Sequence, residues 1–143
     1  MGSDRTSDGS PSLAGPFFAL VVAQAAHSVE EYRGRLFEVF PPARFVSGLL
    51  SDDLERGFVV ANLALFSLGL ICLLGPVLQG WRSGRVIAGL WAALESLNAT
   101  GHLGWSLLER RYTPGLATAP FLLLCSLWIA RRLASTPAAP ASS

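Results

Sequence analysis

From Leu13 onward the chain alternates between apolar runs near bilayer length and short polar or Pro/Gly-containing breaks. About 20 predominantly apolar residues span a hydrocarbon core, and four stretches come close to that length. Helix 1 is predicted from Leu13–Pro16, with Ser12 able to cap it and Pro16 tolerated in the first turn, to Leu36 or Phe37. Pro41-Pro42 is expected to stop it, and residues 43–56 read as a mixed connector with a short helix lying on the membrane surface. Helix 2 is expected over 57–74, helix 3 over 85–109 and helix 4 over 116–133, interrupted by Pro120. The expected fold is all-α: an up-and-down four-helix transmembrane bundle over 13–133, between polar tails at 1–12 and 134–143 that read as disordered.

Two apolar runs carry a polar face. In Ala26-His27-Ser28-Val29-Glu30-Glu31-Tyr32, residues three and four apart share a side of the helix, so His27, Glu30 and Glu31 project together. In the third run Glu95, Asn98 and His102 fall within an arc of roughly 60°, and Trp91 and Trp105 widen it only to about 80°. An ionisable group deep in a membrane helix costs roughly 2.5–3.5 kcal/mol on insertion scales, so such groups face inward and pair. Helices 1 and 3 run the same way in an up-and-down bundle. His27 and Asn98 then lie at matching depths, with Glu30 and Glu31 level with His102. The two faces are therefore expected to form one intramembrane site. A polar network that only fixes helix register is the plainer alternative, but it needs fewer groups than these.

Composition narrows the class. Hydrophobic residues are 51% and charged residues 15% of the 143, below the roughly 25% charged of soluble domains. Every basic residue is Arg, the net charge is +1, and no basic block or basic–aromatic interleaving suggests nucleic acid. Cys72 and Cys125 lie in apolar runs without metal-type spacing and read as small buried side chains. Asp52, Asp53 and Glu55 read as a solvated helix N-terminus. Ala23-Gln24-Ala25 has the form of a signal cleavage site, but one Arg and two Asp precede the apolar run, so an uncleaved helix is expected. The compact Arg82/Arg85 loop and the Arg131-Arg132 stop place both termini on the cytoplasmic side.

His27-Ser28-Val29-Glu30-Glu31, followed by Glu95, Asn98, His102 and the stretch Arg111-Tyr112-Thr113-Pro114-Gly115-Leu116-Ala117-Thr118, resembles the HXXEE-domain family of small bacterial membrane proteins over roughly residues 13–130. The resemblance implies a shared architecture and a site, but no reaction.

The residues point to a membrane enzyme acting on a lipophilic molecule by isomerase, cyclase or epoxide-opening chemistry. His27, Glu30, Glu31, Glu95, Asn98 and His102 are the candidate catalytic groups, with Trp91, Trp105, Tyr32 and Asn62 as substrate contacts. Gln24 and Glu38 flank the first face, and Asn62 alternatively bonds a neighbouring helix. Alternatively His27, Glu31, Glu95 and His102 hold one divalent metal, Zn, Fe or Mn. A full di-iron cage does not fit, because helices 2 and 4 offer no carboxylate. A proton or metal-ion carrier and a non-catalytic scaffold with a structural polar network are the other classes, and four short helices give a carrier little room for alternating access unless the protein forms homo-oligomers.

Overall fold

The structure, a computed structural model, describes residues 12–135. Among these the chain is all-α, with six helices and no strand. The helices are α1 (Ala14–Arg33), α2 (Leu36–Val39), α3 (Pro41–Leu50), α4 (Leu54–Cys72), α5 (Arg82–Glu109) and α6 (Ala119–Ala134), and a π-helical turn, Leu73–Val77, continues α4 around Pro76. The expected tails lie outside the described residues, apart from a few flanking positions.

The four long helices alternate in direction. Along α1, Val21, Ser28 and Tyr32 meet Gly69, Asn62 and Glu55 of α4 in descending order, so these two helices are antiparallel. Phe17 and His27 meet Trp91 and His102 of α5 in ascending order, so α1 and α5 are parallel. α6 returns against α5: the Arg85 guanidinium donates to the Leu133 carbonyl, while His102 lies beside Gly115, ahead of α6.

Several boundaries differ from expectation for local reasons. α1 ends at Arg33 because Arg35 takes a left-handed backbone (φ 52°), and α2 restarts the chain at Leu36. Pro41 and Pro42 begin a helix instead of stopping one, since a proline in the first turn sacrifices no intrahelical hydrogen bond. Pro120 likewise stands in the first turn of α6, which starts at Ala119 and has no interruption. Asp53 caps α4 by accepting from the Glu55 and Arg56 amides at 2.9 and 3.2 Å, the role expected of that acidic group. Cys72 and Cys125 are free thiols.

The interior is layered. An apolar core of Phe17, Leu20, Val21, Leu73, Trp91 and Leu122 fills one end, and a smaller cluster of Leu36, Phe37 and Phe58 the other. Between them lie buried polar groups: Gln24, His27, Glu31, Glu95 and His102. α3 closes this middle layer from the side. It lies so near α4 that a Cβ on Gly57 would stand 2.0 Å from the Ser47 carbonyl oxygen, a contact only glycine permits. One described stretch, Leu54–Val77, with 24 residues and mean hydropathy 2.3, is long and apolar enough to cross a membrane.

Candidate functional site

The site begins with α1. His27 and Glu31, one turn apart, share the face turned to α5, and the Glu31 carboxylate stands between two imidazoles. Its Oε1 is 3.3 Å from His27 Nε2 and 3.0 Å from His102 Nε2. The two rings meet edge to face with centroids 4.7 Å apart. His27 is 1% exposed, His102 5% and Glu31 7%, so the group lies out of bulk solvent. The approach of His27 Nε2 to Glu31 is short enough for an ion pair but lacks hydrogen-bond alignment, and that nitrogen has no hydrogen-bond partner.

Glu30, one residue earlier, points elsewhere. It accepts from the Ala117 and Thr118 amides at 2.9 and 2.8 Å, from the Thr118 hydroxyl at 2.5 Å and from the Tyr112 phenol. The Tyr112 phenol is pushed up to about 12 by that hydrogen bond to Glu30. Thr118 Oγ1 in turn lies 2.7 Å from His27 Nδ1. Glu30 therefore touches the site only through Thr118, while it fastens the segment before α6 onto α1.

That segment covers the imidazoles. Gly115, at φ +92°, lies so close that a Cβ would come 2.6 Å from His102 Nδ1 and 2.8 Å from His27 Cε1. A second buried contact, between the Ser106 and Thr113 hydroxyls, holds the segment to the end of α5.

A cavity of about 290 Å³ opens beside the histidines, lined among others by Gln24, Glu95, Asn98, Phe40 and Asn62. Glu95 is 5% exposed and accepts a long 3.4 Å bond from Asn98. Asn62 accepts from Ser28 at 2.6 Å and donates to the Phe58 carbonyl at 3.0 Å, so it both packs and lines the cavity.

Of the residues singled out in the sequence, His27, Glu31, Glu95, Asn98, His102 and Asn62 thus border one cavity. Trp105 stacks on Phe40 at 5.2 Å and lies 6.4 Å from His102, at the margin. Trp91 stands in the apolar core, edge-on to Phe17, and does not line the cavity. Tyr32 is exposed and donates to Glu55 at 2.6 Å on the outer surface. Sequence reasoning missed Thr118, Gly115 and Phe40. The Thr113-Pro114-Gly115 turn and Thr118 were visible as part of a family resemblance, but no periodicity assigned them to the site.

Fold and site together define an all-helical protein with two histidines and a carboxylate converging in its interior. The chain belongs to the family described as "Protein of unknown function with HXXEE motif", which it matches over residues 18–129. The motif residues His27, Glu30 and Glu31 divide between the convergent centre and the clamp on the 112–118 segment. No curated protein and no solved structure matches the chain.

Proposed function

We propose that this protein is an integral membrane enzyme whose four long helices span the bilayer. In this reading the His27/Glu31/Glu95/Asn98/His102 cavity performs acid–base chemistry on a lipophilic molecule, directly or through a bound divalent metal. The observation that carries it is the inverted arrangement of polarity. Phe18, Ile71, Leu90, Leu97, Leu107 and Phe121 are among many large apolar side chains turned outward, whereas two carboxylates and both imidazoles are turned in. Monomeric soluble proteins rarely expose contiguous apolar surface on this scale, and intramembrane ionisable groups face the interior. At 1.5 Å per residue α1 and α5 reach about 30 and 42 Å, enough to cross hydrocarbon. Both are less apolar than the Leu54–Val77 stretch because they carry the polar groups of the two faces, and α6 is shorter, at 16 residues.

The chemistry suited to the cavity is proton transfer. One carboxylic acid delivers a proton to an alkene or epoxide oxygen, and a neighbouring carboxylate or imidazole removes another, so an isomerisation consumes no co-reactant. Glu95, two turns before His102 on α5 and lining the same cavity, is the acid in this scheme. Asn98 positions it, and Phe40 with Trp105 borders the site where an apolar tail leaves. The test compares lipid extracts from cells making wild-type protein and Glu95→Gln, both verified in carbonate-washed membranes. A lipophilic species changed only by the wild type supports the enzyme. Identical extracts, or protein released by the carbonate wash, reject it.

A second reading has one observation in its favour. Tyr112, Glu30, Thr118 and His27 form a run of hydrogen bonds from the surface inward, and Glu31 with His102 lies 3.3 Å beyond its inner end, the kind of path a proton carrier needs. A carrier acts only across a sealed vesicle, whereas the enzyme turns over in detergent.

A further inference from the structure

We propose that His27 Nε2, one oxygen of Glu31 and His102 Nε2 together bind a single divalent transition-metal ion of the zinc class, with its fourth position open to the cavity. This rests on the reading of that cavity as a reaction site, whereas the ion itself is detectable without turnover.

The hydrogen-bond pattern carries the inference. Glu30 receives four donors, of which two are backbone amides that cannot reverse, so it is an ionised acceptor. The Thr118 hydroxyl must then donate its proton to Glu30, and its oxygen is left to accept from His27. His27 Nδ1 therefore carries the hydrogen, and in the neutral ring Nε2 carries a lone pair. That lone pair faces Glu31 Oε1, itself an acceptor, at 3.3 Å and without hydrogen-bond alignment. His102 Nε2 approaches the same oxygen at 3.0 Å, so the lone pair on His27 Nε2 calls for a positive centre there, which either a second proton or a metal ion shared by all three groups supplies. His27 has the arrangement of a metal-binding histidine, its second ring nitrogen fixed by a hydrogen bond that selects the tautomer, whereas His102 Nδ1 is buried against Gly115 without a hydrogen-bond partner.

The spacing agrees. Bonds of about 2.0–2.1 Å at a tetrahedral ion place neighbouring ligand atoms roughly 3.3 Å apart. The two N···O separations here are 3.3 and 3.0 Å, and the donor atoms all lie within 4.8 Å of one another. Two nitrogens and one carboxylate oxygen suit zinc, with iron and manganese as competitors. Glu95 is not among the converging donors and lines the cavity onto which the open position gives.

The experiment uses the full chain in detergent, purified without chelator. Elemental analysis is expected to find close to one zinc, iron or manganese ion per chain. After chelator stripping, Co(II) chloride is expected to restore one equivalent with the intense visible absorption of four-coordinate cobalt. His102→Ala and Glu31→Gln should lose the site, whereas Glu95→Gln should keep it. Thr118→Val should bind about 10–100-fold more weakly, with Thr118→Ser restoring affinity. Circular dichroism identifies variants that fail to fold, and the wild-type titration stands independently of them. Wild-type protein that neither carries nor takes up Zn(II) or Co(II) overturns the proposal, as does folded His102→Ala that binds as tightly as wild type. A metal-free protein that still loses its lipid product on Glu95→Gln leaves the enzyme reading intact without the ion. Bound metal with no product does the reverse.

Discussion

Glu30 and Glu31 are adjacent in the chain, yet about 100° of helical rotation sends one to the Ala117–Thr118 amides and the other to both histidines. Their substitutions should therefore part company. Glu30→Gln loses a charged acceptor with four donors and should lower stability by about 2–3 kcal/mol in denaturation from mild detergent. Glu31→Gln should remain folded and lose function, and unchanged activity there would refute its place in the site. Gly115→Ala should do both kinds of damage. A left-handed alanine costs about 1–2 kcal/mol, and the new methyl would strike both imidazoles. A thermal midpoint equal to wild type would contradict the packing described.

At the scale of elements, the 110–118 segment and α3 build the site as much as the long helices do. The Tyr112 phenol reports on the first. Its proton is held above the ordinary value of 10 by Glu30, so the bond to Glu30 is fully present below pH 10 and is lost as pH rises through about 12. In a Tyr32→Phe background, ultraviolet titration should show one late phenolate transition, which Glu30→Gln moves back toward 10. A titration unmoved by that change would mean the segment is not fastened by Glu30. α3 is held by the close approach of Gly57 to Ser47. Gly57→Ala should push α3 away, at about 1–3 kcal/mol, and expose a cysteine placed at the buried Ser47. Equal maleimide reactivity with and without Gly57→Ala would count against α3 as the side wall.

At the scale of the molecule, alternating helix directions place Ser12, the loop around Gln79 and Ser135 at one end, with Ser51 and Arg111 at the other. In a cysteine-free background, single cysteines at Gln79 and Ser135 should label from one face of membrane vesicles and those at Ser51 and Arg111 from the opposite face. Labelling of Gln79 and Ser51 from the same side would exclude α4 as a span.

Period and charge along the chain were enough to determine helical class, the long segments and the two polar faces. A helix repeats its side-chain directions every few residues, so His27 with Glu31, and Glu95 with Asn98 and His102, can be placed without a fold. Residue counting sets the depth of the two faces to within about a turn: it pairs His27 with Asn98, whereas His27 meets His102. Which neighbours those faces meet is a long-range matter. Glu30 finds its partners 87 and 88 residues away, and no local pattern separates it from Glu31. The prolines show the same limit: whether Pro41 or Pro120 ends a helix or begins one depends on where the preceding chain turns. Only tertiary structure decided that Trp91 belongs to the apolar core, that Gly115 covers the imidazoles and that α3 walls the cavity. Those placements depend on contacts between segments whose separation in sequence carries no period.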